Sequence, residues 1–383
     1  MEVICNRKVL HRALQSVGRA VSTRSTLPIL SNVLLKATKE GLSLLTSDLE
    51  IWMEYLLPAA AGKEGKGAVE VTKEGAITIP ARLLGDVVVN LPDATVQLRV
   101  DDDGTLQLVC GASQYEIRGL PAEEFPSFPE VAGEPFEIKQ GILAELIEKT
   151  SFAASTDETR AILTGVLLTA DGKSVRMVAT DAYRLSMKGT EIADAPNDIS
   201  VLIPARALRE LSRLLVEKEN KVEIKVGPSQ ILFRLPSNDS EQPGELCLVS
   251  RLIEGQFPSF EKLIPKEWER RLSLQREDFL ATIKRCAIIA RTEANKIIFE
   301  SQGNKLKVRA ESADYGKVEE ELPVSLEGEG IQIAFNGAYL QDALEVMTSD
   351  MVWVELSGAI SHGVLRPSDD PDHFCLVAPM QVI

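Results

Sequence analysis

The sequence lacks the patterns that mark a metal site, a secreted protein or a membrane protein. Its five cysteines include no CxxC pair, and its three histidines show no HExxH or other zinc spacing. No apolar run approaches the roughly 18 residues that span a bilayer, and residues 1–14 contain no signal-peptide hydrophobic region. We therefore expect a cytoplasmic chain without metal or cofactor, whose reduced cysteines mostly pack as small hydrophobes.

An excess of positive charge is missing as well. The formal net charge is −15, which argues against a protein that attracts nucleic acid over its whole surface. Catalytic groups are also not recognisable, since no nucleophile, base and orienting group stand out. The glycine-rich stretch GKEGKG at 62–67 has no Lys-Ser or Lys-Thr after its second glycine, so it does not form a P-loop. We predict that the protein is not an enzyme.

What the sequence does contain is an internal repeat. FPSF occurs at 125–128 and again at 257–260, close to a third of the chain further on. IPARLL at 79–84 matches IPARAL at 203–208 and, more loosely, FNGAYL at 335–340. Asp48, Asp181 and Asp314 follow one another at equal spacing, which is nearly the spacing between the two FPSF copies. Because independent matches share one spacing, we predict a fold that is written three times.

The repeated aspartates leave two interpretations open. Catalytic carboxylates are one, but a position that recurs once in every repeat favours a scaffold role, such as an Asx turn that closes a hairpin.

Each repeat predicts two helices and two antiparallel sheets. Residues 7–20 show the 3, 4, 7 apolar spacing of an amphipathic helix, and residues 29–59 form short aliphatic runs broken by Gly or Pro. Further helices are predicted at 81–91, 140–150, 203–215, 276–291 and 336–348. The prediction is an α+β fold of three tandem domains, 1–130, 131–263 and 264–383.

The two FPSF segments fall between the last strand of one domain and the first helix of the next. Proline restricts them to extended or turn geometry. We interpret them as linkers whose phenylalanines pin the connection against neighbouring sheets. The alternative is a loop with two chance aromatics.

Charge is divided unequally between helices and the rest of the chain. The six predicted helices together carry +5, so the remaining residues carry −20. A ring with helices inside would attract a polyanion into its hole and repel it elsewhere, although solvated basic helix faces would give the same count. Helices are about 10 Å across, so six leave a hole of about 9 Å and twelve leave one of about 28 Å. Only the larger hole passes a duplex, which predicts a head-to-tail homodimer.

Short motifs along the whole chain resemble one family. They are RSTLPIL at 24–30 with Asn32, RGLP at 118–121, TDAYRL at 180–185, LIEGQFP at 252–258 and VAPM at 377–380. In order and spacing they resemble the bacterial DNA polymerase III beta subunit, the sliding clamp. The resemblance implies a nucleoid-associated ring dimer that encircles double-stranded DNA without sequence preference, tethers the polymerase for processive synthesis and catalyses no reaction.

The resemblance also implies partners. They are the DNA polymerase III alpha subunit, an ATP-driven clamp loader complex, and other polymerases and repair proteins that carry clamp-binding peptides. Each would insert a short, partly hydrophobic peptide into a pocket between the second and third domains. The implied pocket residues are Arg160, Ile162, Leu163, Thr180, Ala182, Tyr183, Arg184, Leu185, Pro258, Lys262, Leu263, Asn336, Tyr339, Ile360, His362, Val377, Ala378, Pro379 and Met380.

The chain departs from the family at two pocket positions. Gln381 stands where the family often has arginine, which puts a charged contact there in doubt. Ala182 stands where glycine is common, so we expect a slightly narrower pocket.

The resemblance places Arg24 on a loop that contacts the duplex. Weaker candidates for the inner surface are Arg7, Arg12, Arg19, Arg206, Arg209, Arg213, Lys284 and Arg285. Such contacts go to phosphates and carry no sequence information. At the subunit interface, Ile288 and Ile289 match a hydrophobic pair, and we expect their partner to be a first-domain edge strand around Gln107 and Leu108. The rival to a ring is a peptide-binding scaffold that never encloses DNA.

Overall fold

The structure is a computed structural model that describes all residues except 22–26, 61–67, 102, 193–194, 238–243, 266 and 383. Arg24 and the glycine-rich stretch at 62–67 therefore lie outside the described residues. Within the described ranges, no helix is both long enough and apolar enough to cross a lipid bilayer.

The described part contains six α-helices, one at each predicted position. They are α1 Arg7–Val17, α2 Ala81–Asn90, α3 Gln140–Glu148, α4 Ala205–Ser212, α5 Arg276–Ala290 and α6 Gly337–Glu345. Asparagine caps start two of them. The Asn6 carboxamide oxygen accepts from the Lys8 amide at 2.8 Å, and that of Asn336 accepts from the Ala338 amide at 2.9 Å.

The strands follow the same repeat. The first repeat contains β1 Glu2–Asn6, β2 Asn32–Thr38, β3 Gly41–Ser47, β4 Ile51–Pro58, β5 Val69–Lys73, β6 Gly75–Pro80, β7 Thr95–Val100, β8 Thr105–Cys110 and β9 Ser113–Arg118. The second contains β10 Pro135–Lys139, β11 Gly165–Ala170, β12 Ser174–Thr180, β13 Arg184–Glu191, β14 Ile199–Pro204, β15 Lys221–Val226, β16 Gln230–Ser237 and β17 Gly244–Arg251. The third contains β18 Arg270–Gln275, β19 Lys296–Gln302, β20 Lys305–Ser312, β21 Gly316–Pro323, β22 Ser325–Glu327, β23 Ile331–Asn336, β24 Met351–Leu356, β25 Gly363–Pro367, β26 His373–Val377 and β27 Pro379–Met380.

The chain forms two compact units that do not coincide with the repeats. One unit contains residues 1–141 and 213–252, and the other contains 142–212 and 253–383. Each unit therefore holds one terminal repeat and part of the central one. The α+β class with two helices per repeat and antiparallel sheets is confirmed, while the domain boundaries at 130 and 263 stay a prediction.

The first unit contains two antiparallel sheets. Its terminal sheet has the order β5-β1-β7-β8-β9, and its shared sheet has the order β10-β15-β16-β17-β4-β3-β2-β6. In the shared sheet the last strand of the central repeat, β17, pairs with β4 of the first repeat, so that Val249 faces Trp52. Helix α1 packs on β3 and β4 through its buried leucines and valine.

The second unit repeats this arrangement. Its shared sheet has the order β14-β11-β12-β13-β26-β25-β24-β18-β22, and its terminal sheet has the order β21-β20-β19-β23-β27. Here β26, near the end of the third repeat, pairs with β13 of the central repeat, so that Leu185 faces Leu376. Phe279, Phe299 and Phe335 meet at steep angles, with ring centroids 5.6 and 5.7 Å apart, in the core beneath α5 and α6. Within each unit, a sheet that crosses from one repeat to the next joins the two repeats.

Both FPSF segments lie on the shared sheet of their own unit. Phe125 is buried against Trp52 and Leu232. Phe257 and Phe260 meet edge to face at 6.2 Å and pack on the cluster that contains Leu185. The prediction that the phenylalanines pin these linkers against sheets is confirmed.

The repeated aspartates close turns, as predicted, in two of the three repeats. The Asp48 carboxylate accepts from the Ile51 amide at 2.8 Å, and Asp181 accepts from the Arg184 amide at 2.9 Å. In the third repeat the Ser312 hydroxyl oxygen accepts from the Asp314 amide at 3.3 Å instead. A scaffold role accounts for the recurrence.

Candidate functional site

The turn between β12 and β13 forms the centre of the candidate docking site. The Asp181 carboxylate accepts from the amides of Tyr183 and Arg184, each at 2.9 Å. The Thr180 hydroxyl donates to the Arg184 carbonyl at 2.6 Å and accepts from the Ala182 amide at 3.1 Å. These bonds hold the turn rigid, and they leave the Tyr183 ring 58% exposed.

Ala182 adopts a backbone conformation that favours glycine. Its φ is +79°, in the left-handed region where a Cβ atom is strained. The alanine therefore costs backbone energy in addition to placing a methyl group on the site's surface.

Arg184 ties this turn to α6 and to the segment after α3. Its guanidinium donates to the Asp181 carboxylate at 3.0 Å, to the Phe152 carbonyl at 2.9 Å and to the Asp342 carboxylate. The same group lies over the Tyr339 ring at 4.5 Å. Only 13% of the side chain is exposed, so Arg184 acts as a fixed wall of the site and is not a free cation.

Tyr339 keeps its phenol proton over a wide pH range. Burial, and then the negative charge of Asp181, raise the pKa of Tyr339. The phenol therefore remains a hydrogen-bond donor beside the Arg184 guanidinium.

The C-terminal segment completes the site along its other side. The Ala378 amide donates to the Tyr183 carbonyl at 2.8 Å, and Pro379 and Met380 pair with β23 at Phe335 and Ala334.

The predicted docking residues fall into three classes by exposure. Exposed are Arg160, Ala182, Tyr183, Pro258, Lys262, Leu263 and Ile360; half-buried are Ile162, Leu163, Arg184, Asn336, Tyr339, His362, Ala378, Pro379 and Met380; buried are Thr180, Leu185 and Val377.

Contacts connect most of these residues but not all of them. Arg160 donates to the Asp181 carbonyl at 3.5 Å, and Ile162 lies against Gly255 in the linker. Leu185 faces the apolar cluster beneath the linker, so it supports the site from below. Ile360 is 92% exposed in the β24–β25 connection, and a separate cavity of about 410 Å³ under residues 255–261 includes only Pro258 of the set.

Sequence reasoning missed the residues that hold Arg184 in place. Asp342 and Phe152 each bind the guanidinium, yet neither belongs to a repeated motif. The available signal was the position of Asp342, one helical turn after Tyr339 on α6, where both side chains project from the same face.

A buried ionic cluster joins the central and third repeats within the second unit. The Asp370 carboxylate accepts from the Lys149 ammonium at 2.8 Å and from the Lys188 ammonium at 2.6 Å. Glu145 on α3 binds Lys149 at 2.8 Å. Burial raises the pKa of Asp370, but the hydrogen bonds from the two lysines outweigh it and hold the pKa below its usual value. This cluster, which the sequence did not predict, fixes the start of β26, the strand that leads to Val377.

His373 lies fully buried beside this cluster, and it predicts an acid-sensitive fold. Burial, and then the positive charge of Lys149, lower the pKa of His373 to about 4. Because the unfolded chain binds the proton near pH 6.5, stability is full above that pH and is lost as pH falls towards 4. The loss is about 3 kcal/mol.

We expect His373→Gln to remove this pH dependence. In urea unfolding at pH 7 and pH 4.5, its free energy of unfolding should change by about 2 kcal/mol less than that of the wild type. His11→Gln, a half-exposed histidine in the other unit, is the matched control and should keep the wild-type difference. An unchanged difference in the His373 variant would contradict the account.

The predicted DNA-facing residues differ in their exposure and in whether a carboxylate already pairs with them. Lys284 binds Glu345 at 2.8 Å, and Arg285 binds Glu320 at 2.5 Å, so these two charges are balanced locally. The arginines of the first and central repeats lie at half-buried positions (Arg7, Arg12, Arg19) or exposed positions (Arg206, Arg209, Arg213).

The prediction that Gln107 and Leu108 lie on an edge strand is wrong. Both residues lie on β8, between β7 and β9, and Leu108 is fully buried. The edge of this sheet on that side is β9, and β5 is the other edge among the described strands. A hairpin adds one more strand, β9, after β8, and the alternating β8 sequence TLQLVC does not show which of the two lies at the edge. Ile288, by contrast, is 62% exposed on α5, as an interface residue requires.

Comparisons with known proteins cover the whole chain. Three family models of the DNA polymerase III beta subunit match the chain. The N-terminal domain model matches residues 1–129, the central domain model 137–259 and the C-terminal domain model 261–381. The chain is 31% identical to the beta sliding clamp of Staphylococcus epidermidis, over all of this chain and 99% of the relative. It is 33% identical to the beta sliding clamp of Synechocystis, over the full length of both chains. The sliding clamp structure of Bacillus subtilis (TM-score 0.92, 30% identity) and the DNA polymerase III subunit beta of Pseudomonas aeruginosa (0.90, 32%) are each matched over the full length of both chains. The chain belongs to the DNA polymerase III beta subunit family, the beta sliding clamps.

Proposed function

We propose that two copies of this chain close into a ring around double-stranded DNA and tether DNA polymerase III for processive synthesis. The observation that carries the proposal is the way the repeats join. In each unit, a strand near the end of one repeat pairs with the strand that follows the aspartate turn of the preceding repeat: β17 with β4, and β26 with β13. Among the described residues, β9 and β21 each form one edge of a terminal sheet, with β5 and β27 at the opposite edges.

The edge strands β9 and β21 are the counterparts of the strands that pair between repeats inside each unit. β9 is the first-repeat counterpart of β17, and β21 is the third-repeat counterpart of β4 and β13. A third pairing of the same kind needs β21 from a second copy. Two such head-to-tail pairings close a ring and pair the exposed edges of β9 and β21, a closure typical of cyclic assemblies.

Exposed apolar side chains support this interface. Tyr115 on β9 is partly exposed, as are Leu83 and Val89 on α2 of the same unit. On the other unit, Ile288 projects from α5, the helix that packs on β21. Burial of such residues against a second copy would remove apolar surface from water.

The ring explains how an acidic chain can hold DNA. A dimer supplies twelve helices, and a hole of about 28 Å lets a duplex pass. Phosphate contacts inside such a hole are individually weak and independent of sequence. Enclosure therefore retains the DNA while the protein slides.

We further propose that the site around Arg184 docks partner peptides. Exposed Tyr183 and Leu263, with half-buried Met380, supply apolar contacts, while Tyr339 and His362 supply polar groups. The alpha subunit, the clamp loader complex, and other polymerases and repair proteins would compete for it. Because Gln381 is uncharged, binding there would rely on hydrogen bonds and not on an ion pair.

Linearising a DNA circle tests the enclosure. Protein loaded on a nicked circular duplex by a clamp loader should stay bound, and it should slide off once a restriction enzyme cuts the circle. Retention after cutting would overturn the ring and favour a peptide-binding scaffold that grips DNA from one side.

A further inference from the structure

The cavity of about 410 Å³ in the second unit lies next to the docking site but is not part of it. Leu167 of β11 and Ser200 and Leu202 of β14 line one side, and residues 255–261 of the linker line the other. Among these described lining residues, only Pro258 belongs to the docking set. The volume is in the range of small-ligand sites, so the cavity has room for a group that the docking site itself does not hold.

The cavity is apolar at its base and polar at its rim. Leu202 is buried, and Leu167 packs on the same apolar cluster as the two linker phenylalanines. The polar side chains that border the opening are exposed: Ser200, Gln256, Ser259 and Glu261. An apolar base under a polar rim suits an apolar side chain that is carried by a peptide backbone.

The backbone of β14 is open beside this cavity. β14 is an edge strand of its sheet among the described strands. The Ile253 amide donates to the Leu202 carbonyl at 2.8 Å, so Leu202 directs its backbone groups away from β11. Every second residue of an antiparallel strand faces the same way. Ser200 therefore also directs its N–H and C=O outward, and no hydrogen bond between described residues uses them. Such an edge can pair with an extended peptide.

The cavity is continuous with the docking site. Pro258 borders both, and Ile162 of the docking set lies against Gly255, another residue of the cavity lining. In the shared sheet β14 is three strands away from β13, which corresponds to about 14 Å. An extended chain advances about 3.3 Å per residue. A segment of about four residues that leaves the docking site over Pro258 therefore reaches the edge of β14.

We propose that this cavity is a second subsite for the docking peptide. It takes one leucine, methionine or phenylalanine side chain from the residues that flank the docked segment, while the flanking backbone pairs with Ser200 on the edge of β14. The inference rests on the proposed docking function. It adds a rule for partner choice, since a partner with an apolar flanking residue binds more tightly than a partner without one.

Peptide titrations by fluorescence polarisation on the full chain test the subsite. The first probe is a segment of about six residues, the clamp-binding segment of a DNA polymerase III alpha subunit. The other probes extend it by about five glycine and serine residues at either end, with one phenylalanine at the third, fourth or fifth added position. We expect at least one phenylalanine peptide to bind at least fivefold more tightly than the extended peptide without phenylalanine.

A variant of the chain shows where the phenylalanine binds. Ser200→Phe fills the cavity from the edge strand, so it should abolish the fivefold gain and leave binding of the short segment within twofold of the wild type. Ser325→Phe is the matched control, because Ser325 is an exposed serine on β22, at the opposite edge of the same sheet. The control should keep the gain, and a thermal melt checks that each variant is folded.

The outcomes separate the subsite from the docking function. If the short segment binds but no phenylalanine peptide gains affinity, or if the gain survives in Ser200→Phe, the subsite is overturned and the docking function stands. Equal weakening of the short and extended peptides in Ser200→Phe would also overturn the subsite, because the cavity would then only support the linker. No binding of the short segment by the wild type would overturn the docking function, and the subsite with it.

Discussion

Replacing Arg184 with alanine should unfold the docking site and abolish peptide binding. The side chain is 13% exposed and neutralises Asp181, whose carboxylate is 11% exposed. Removing one partner of a buried ion pair leaves an uncompensated charge, which costs about 3 kcal/mol. The contacts with Asp342, Phe152 and the Tyr339 ring are lost at the same time.

Two measurements check this result. Urea unfolding should show about 3 kcal/mol lower stability, and fluorescence polarisation with a labelled clamp-binding peptide should show no saturable binding. Arg176→Ala is the matched control, because Arg176 lies on the neighbouring strand β12 and pairs with Asp171 at an exposed site. An Arg184 variant as stable as this control would contradict the role that we assign to the ion pair.

Cysteines placed on β9 and β21 should cross-link two copies in one register. The β9 counterparts of β17 residues lie one FPSF spacing earlier in the chain, and the β21 counterparts of β4 residues lie two aspartate spacings later. The register between β17 and β4 then places Ile117 opposite Val318 and Tyr115 opposite Glu320. Ile117 and Val318 are both apolar, and each already packs towards the interior of its own unit. Opposed side chains in an antiparallel pair lie about 5 Å apart, close enough for a disulfide.

We therefore expect Ile117→Cys with Val318→Cys to form covalent dimers on mild oxidation. The control pair, Ser113→Cys with Val318→Cys, is four positions out of register and should stay monomeric on denaturing gels. The native cysteines are buried and free, so they add little background. Cross-linking of the control pair alone would refute the register.

The sequence predicted the repeat because the repeat has a fixed spacing. Six helices, two of the three aspartate turns and both phenylalanine linkers depend on local patterns that recur, and the structure confirms them. The sheets that cross from one repeat to the next were not predicted. Pairing between β17 and β4 joins the last strand of the central repeat to the fourth strand of the first, and nothing local specifies it.

The sequence likewise indicates some of the residues at the site and not others. Tyr183 and Tyr339 were named through the family motif. Asp342 is indicated only by its place on the Tyr339 face of α6, and the cluster of Lys149, Lys188 and Asp370 is not indicated at all, because charges that meet across repeats leave no pattern along the chain. The edge strand is β9 and not the predicted β8, since TLQL in β8 and QYEIR in β9 alternate polar and apolar residues alike.

Sedimentation equilibrium at micromolar protein tests the closed two-chain ring most directly. The chain has a mass of 41.9 kDa, so the account predicts a single species of twice that mass, and Ile288→Glu should shift it towards the monomer. A wild-type species with the mass of one chain across that concentration range would contradict the ring.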